Sequence, residues 1–345
     1  MTPDLDKFLF RDLHPQIKIG TASDRYAGWI GQIYSENNYK ISSRMKSLGG
    51  KSFKEEILPV ESVKEYFEHF SVLEIDFTFY RPLLDKDLKP TPNFQVLNTY
   101  KRYLGKNDRL ILKVPQAVFA QRLRKGGKFV ENPDYLNAEM FSRQFYEPAD
   151  KILGDLSGGF IFEQEYRPKK DRQPPKKYAE SLDEFFSNLP KDRRYHIETR
   201  TESYHISAYF DVLTRHGIGH VLSHWTWLPS LRKQFLKSGK QFYNSGRQCV
   251  IRLMTPLRMR YDESYAQAFP FNKMVEGMMN REMITDTVEI IRNSVKDGVQ
   301  VNVIINNRVG GNAPLIAREL VTSYFKTPSQ AQSLRWIKEA NPRNS

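Results

Sequence analysis

The stretch Val299–Phe325, VQVNVIINNRVGGNAPLIARELVTSYF, reads as strand, glycine loop and helix in immediate succession. Val299, Val301, Val303 and Ile305 alternate with Gln300, Asn302, Ile304 and Asn306. That mostly apolar, β-branched run suits a strand covered on both faces. Asn306 and Asn307 close it, and Gly310 and Gly311 allow a tight turn. Asn312 can cap the following helix, where Pro314 sits in the tolerant first turn. Ile316, Leu320 and Tyr324 then fall four apart on one face. Free N–H groups at a glycine-led helix start form a ready seat for an anion.

Working back from this unit, the same strand–helix rhythm recurs through the chain. Short apolar runs at Ile17–Thr21, 72–80, Arg109–Pro115, Gly158–Glu165, Arg194–Arg200, Gly219–His224 and Cys249–Met254 predict seven earlier strands. Helical spacing separates them, as at Val63, Phe67 and Phe70, or Ile284, Val288, Ile291 and Val295. No antiparallel hairpin signal is read between the strands. The expected fold is therefore α/β: a (β/α)8 TIM barrel forming one domain over residues 17–325. Residues 1–16 read as a leader and residues 326–345 as a helical tail carrying Leu334, Trp336 and Ile337. Loop insertions are expected at 37–57, at the basic, glycine-bearing run from Gln121 to Asn132, and at RPKKDRQPPKK, Arg167–Lys177. The last combines three prolines with six basic residues, which precludes a packed element.

Composition agrees with a folded domain. Of 345 residues, 39% are hydrophobic and 27% charged, enough apolar mass for a large core. Lys and Arg total 53 against 40 acids, a formal charge of +13 that attracts polyanions without specific contact. The single cysteine, Cys249, excludes an internal disulfide and zinc sites built on paired cysteines. The N-terminus carries acids where a signal peptide needs a basic start, and no run approaches eighteen apolar residues, so a cytoplasmic protein without membrane contact is expected.

In a barrel of this kind, chemistry sits at the carboxyl ends of the strands. Period-two alternation places Glu74, Asp76, Lys113, Gln164, Glu198, Arg200, His224, Arg252 and Asn306 there, with Glu163 and Glu165 on the face opposite Gln164. Glu74, Glu198, Lys113 and Asp76 are the catalytic candidates, the carboxylates as proton-transfer groups. Arg252, Arg200, Asn306, Asn307, Gly310 and Gly311 are the candidate anion holders, and Gln164 a further ligand-binding candidate. Trp29 and Trp225, near Tyr26 and Trp227, could stack on a base or sugar. A self-neutralising network of the acids and cations is the competing structural reading. Glu74, Asp76, Glu198 and His224 could supply divalent-metal ligands, but the neighbouring cations oppose that, so no required cofactor is expected. The favoured partner is an anionic, phosphorylated small molecule. Nucleic acid, held by the two basic loops, is the alternative, and a non-enzymatic barrel the third.

The motifs resemble those of the YecE-like barrels, a domain of unknown function. The similarity rests on IGTAS with Gly28 and Trp29, LEIDFTFYR at 73–81, LKVPQ at 112–116, IFEQ at 161–164, HIETR at 196–200, IRLM at 251–254 and INNRVGGNAP at 305–314. It implies a TIM barrel and no particular activity. Members of that family usually carry asparagine where this chain has Asp76.

Overall fold

A computed structural model describes residues 4–326. Eight parallel strands close into a barrel: β1 Ile17–Ala22, β2 Val72–Ile75, β3 Arg109–Lys113, β4 Ser157–Glu163, β5 Tyr195–Glu198, β6, β7 Gln248–Leu253 and β8 Gln300–Ile305. The sixth is one strand in two pieces, Gly219–His220 and Leu222–His224, interrupted at Val221. Its first piece pairs with β5 and its second with β7, while β1 pairs with both β2 and β8. Each strand thus neighbours its sequence neighbours and the ring has no free edge, as the TIM-barrel expectation requires.

Alternation sorts the strand residues into two cores. Ala22, Val72, Ile111, Ile161, Val221, Val250 and Ile304 form one cluster drawn from seven strands, the plug of the barrel. Ile19, Leu73, Leu112, Phe162, Ile197, Leu222, Ile251 and Ile305 belong to the larger cluster shared with the surrounding helices. On β5 the inward position below Glu198 is His196, which fills the room left by Gly219. A Cβ at Gly219 would lie 2.2 Å from His196 Cδ2, so no larger residue fits there. A register irregularity between Leu110 and Ile111 sets Ile111 opposite Gly159.

The leader packs in part: Phe10 is fully buried against Phe70, and Arg11 bridges to Asp108 at 2.7 Å. The C-terminal segment 327–345 lies outside the described residues. Among those described, no helix is long and apolar enough to cross a membrane.

Two expectations need correction. The insertions at 37–57 and 121–132 are not irregular: they contain antiparallel hairpins, Ser42–Leu48 with Lys51–Ile57 and Arg122–Lys125 with Lys128–Glu131. Both turn on Gly-Gly, at Gly49-Gly50 and Gly126-Gly127, with φ positive at all four residues. That is the turn whose twist matches paired strands, and the glycine pairs were the sequence signal for it. The run VLEIDFTFY is also not all strand. β2 stops at Ile75 and Phe77–Tyr80 is a short helix, whose Thr78 hydroxyl donates to the Lys113 carbonyl at 2.7 Å.

Candidate functional site

Just above the apolar plug, period two brings Glu74, Lys113, Glu163, Glu198 and Arg252 inward, each two residues beyond an inward position of its own strand. Arg252, only 1% exposed, donates from Nε and one terminal nitrogen to the two Glu74 oxygens, at 2.7 and 2.6 Å. Its other terminal nitrogen donates to Glu163 at 3.0 Å and to Glu198. Glu163 Oε2 also meets Lys113 Nζ at 2.7 Å and Arg200 at 2.8 Å. Three carboxylates and three cations therefore cancel within one buried cluster. Burial opposes ionisation of Glu163, but Arg200, Lys113 and Arg252 override it and hold the carboxyl well below its usual range. At Glu74 burial prevails over the pull of Arg252, and the carboxyl is pushed up. Burial disfavours the Arg252 charge, yet the surrounding carboxylates keep the guanidinium firmly protonated.

This geometry corrects the face assignment on β4. Glu163, not Gln164, points inward with Ile161. Gln164 is buried outside the cluster and accepts from the Arg200 backbone N–H at 2.9 Å. The run GGFIFE is apolar on both faces, so alternation alone could slip by one residue. Glu74, Glu198 and Lys113 are committed to ion pairs, with the Lys113 ammonium also 3.9 Å above the Phe79 ring. Arg252 faces carboxylates on every side and presents nothing to a ligand.

The proposed anion seat at Gly310 and Gly311 is likewise closed by the chain itself. Asn307 Oδ1 accepts from Ala313 N at 2.7 Å and from Trp29 Nε1 at 3.1 Å, while Asn312 Oδ1 accepts from Leu315 N at 2.9 Å. These contacts occupy free donors of helix Ala313–Phe325. Gly311, at φ +108, lies so close beneath the 273–275 backbone that a Cβ would sit 2.4 Å from the Lys273 carbonyl oxygen. Trp29 is fully buried and serves as packing, not as a stacking surface.

What the carboxyl end of the barrel does offer is a cavity of about 580 Å³ over the ends of β1, β2 and β8. Hairpin Ser42–Ile57 and the 261–272 segment wall it in. From the expected set it takes Asp76 and Asn306, and it adds Asp24, Tyr26, Tyr261 and Arg308. Asp24 follows β1 and is 1% exposed. Tyr100 donates to its Oδ1 at 2.8 Å, Tyr34 donates to its carbonyl at 2.7 Å, and Oδ2 has no hydrogen-bond partner. Burial, with a contribution from the Asp76 charge, overcomes Arg25 and Tyr100 and raises the carboxyl to about 6. Asp76 itself, at the end of β2, has no cation within ion-pair distance among the described residues. Arg308 lies 4.2 Å over the Tyr261 ring, and its Nε is buried without a partner. Its backbone N–H is held by Asn306 Oδ1 at 3.0 Å. On the hairpin, Glu55 is clamped by Tyr265, Arg44 and Lys46.

Sequence reasoning passed over Asp24 and Arg308. Both stood in the quoted motifs or beside them, an acid two residues after a strand and an arginine inside INNR, which is where barrel chemistry concentrates. Trp225 lies across the mouth, with Arg200 stacked on it at 4.9 Å and Tyr166 5.7 Å away. The two basic loops meet beside this stack, Arg122 pairing with Asp171 at 2.8 Å. Among the described residues no group of three or more His, Cys, Asp or Glu is placed to hold a metal ion, and His224 Nδ1 lies 2.9 Å from the Thr255 carbonyl. A wider groove at the opposite barrel end, about 1210 Å³, is a solvated charged surface. Arg194 there is paired with Asp150 and Asp192, and Arg215 with Asp183.

Solved structures share this architecture. A DUF72 family protein from Thermotoga maritima MSB8 superposes with a TM-score of 0.55 at 16% identity, covering 89% of this chain and 98% of that one. A DUF72 family protein from Enterococcus faecalis V583 gives 0.52 at 16% identity, with 91% and 99% covered. At that identity the likeness shows the fold alone. No curated protein matches the chain. The family model described as "Protein of unknown function DUF72" matches residues 18–342, and the chain belongs to that family.

Proposed function

We propose that the chain binds a small phosphorylated ligand in the cavity over β1, β2 and β8, with Arg308 as the anion holder. The observation that carries this reading is the buried, unpartnered Arg308 Nε in the cavity wall. A buried donor without an acceptor costs roughly 1–3 kcal/mol, and a bound phosphate oxygen would recover it. Tyr26 and Tyr261 supply ring faces for an apolar portion, and Asn306 a polar side wall. The central ion cluster is read as structural, since its charges cancel and are sealed.

Thermal unfolding in the presence of inorganic phosphate, sulfate and sugar phosphates tests the proposal. A ligand at a hundred times its dissociation constant contributes about 2.7 kcal/mol of stabilisation. The shift should appear in the wild type and vanish in Arg308→Ala. No shift, or one that survives the substitution, overturns it.

A second reading, single-stranded nucleic acid across the rim, is favoured by one feature. Tyr166 and Trp227 are exposed rings 5.9 Å apart, with Arg172 5.7 Å from Tyr166. Such interleaving suits base stacking. Binding of an oligonucleotide at 0.2 M salt that weakens in Trp227→Ala would support it; affinity that disappears with salt regardless of the ring would leave only non-specific charge.

A further inference from the structure

Two carboxylates of unlike surroundings share the cavity wall. Asp24 is sealed and rigid: its Oδ1 is held by Tyr100, its carbonyl by the Tyr34 hydroxyl and the Tyr26 N–H, and only Oδ2 is uncommitted. Asp76 is half-buried at the end of β2, with no cation partner among the described residues. A buried carboxyl with one free oxygen is a poor structural device, because that oxygen gains nothing from the fold. It is a good proton carrier for a ligand that reaches it, since the neighbouring bonds fix its position.

From this juxtaposition we infer that the cavity is catalytic and interconverts aldose and ketose phosphates by proton transfer, Asp76 acting at carbon and Asp24 at oxygen. The inference rests on the phosphate-binding reading above. With the phosphate on Arg308, the hydroxy-carbonyl end of the sugar lies against the two carboxylates. The Asp76 carboxylate removes the proton from C2; the C–H electron pair forms the C1–C2 double bond, and the carbonyl π pair moves to oxygen. The Asp24 carboxylic acid gives its proton to that oxygen, leaving a neutral enediol, a protonated Asp76 and an ionised Asp24. Asp24 then takes the proton from the C2 hydroxyl, the new carbonyl forms at C2, and Asp76 returns its proton to C1. Both carboxylates end as they began, and no oxidant, reductant or third reactant is consumed. Two general acid–base groups can complete this reaction by themselves.

The experiment uses ribose 5-phosphate and glucose 6-phosphate in deuterated buffer, with proton NMR following the C2 hydrogen and thermal unfolding following binding in parallel. The wild type should exchange the C2 hydrogen for deuterium and form the ketose. Asp24→Asn and Asp76→Asn should each slow exchange by about a hundredfold or more while keeping the ligand-induced thermal shift. Arg308→Ala should lose both. A wild-type protein that is stabilised by these sugars but incorporates no deuterium overturns the isomerase assignment and leaves phosphate binding intact. Exchange unaffected by either asparagine variant, or release of inorganic phosphate without deuterium uptake, also overturns it. No stabilisation by any sugar phosphate overturns the binding reading itself.

Discussion

Arg252 on β7 and Glu74 on β2 meet as a forked pair across the barrel, 178 residues apart in sequence, through hydrogen bonds of 2.7 and 2.6 Å. Both side chains are about 1% exposed. Removing one partner from such a pair strands the other in a medium that solvates it poorly.

Arg252→Ala is expected to cost about 3–5 kcal/mol, because three carboxylates would then share two cations in a sealed space. Urea denaturation reads this directly. An unchanged midpoint would mean that the cluster does not hold the barrel together.

Asp24 carries the opposite sign. Its folded carboxyl is raised to about 6 from an ordinary 3.8, so the native state holds the proton more tightly than the unfolded chain. Its favourable contribution is complete below about 3.8 and is lost as pH rises through 6, by up to about 3 kcal/mol. Asp24→Asn, which can keep the Tyr100 hydrogen bond, should therefore stabilise the protein at pH 8 by about 1–3 kcal/mol and bring no gain near pH 4. Wild-type and variant stability curves that run parallel across that range would contradict the assignment.

The buried histidines act at the acid end. Burial pushes His196, His220 and His224 down to about 4 from 6.5. The unfolded chain takes up these protons first, so stability present above 6.5 is lost as pH falls through 4. With three groups titrating, the loss approaches about 4 kcal/mol per pH unit at its steepest. Proton uptake on unfolding at pH 5.2, measured by unfolding in buffers of different ionisation enthalpy, should fall by nearly one in His220→Gln.

Asn307 joins two parts of the chain through one oxygen, accepting from Trp29 Nε1 and Ala313 N. Asn307→Ala leaves both donors buried and should cost about 2–4 kcal/mol, while phosphate binding through Arg308 persists. Loss of binding with unchanged stability would instead return Asn307 to the ligand site.

Much of the architecture could be read along the chain, since β-branched runs, helical spacing and glycine stops are local signals. Asn312 was readable as a helix cap for the same reason, because its acceptor lies three residues from its donor. The Gly-Gly hairpin turns were equally local, and were missed only because polar strands lack the apolar alternation that marks a barrel strand.

The site was less legible. Asp76 and Asn306 were identified from their places at strand ends, but Arg252 was assigned to a ligand that its own neighbours displace. By itself, the sequence determined the closed eight-stranded barrel, the capped final helix and the carboxyl end as the place for polar chemistry, because periodicity and turn residues act over a few positions. Only the tertiary structure decided that Glu163 rather than Gln164 completes the ion cluster, that Asn307 fills the glycine seat, and that Asp24 and Arg308 are left unsatisfied in a cavity. Those outcomes depend on which strands close the ring and in what register. Charges 54 to 178 residues apart pair by proximity across the barrel, where no local pattern reaches.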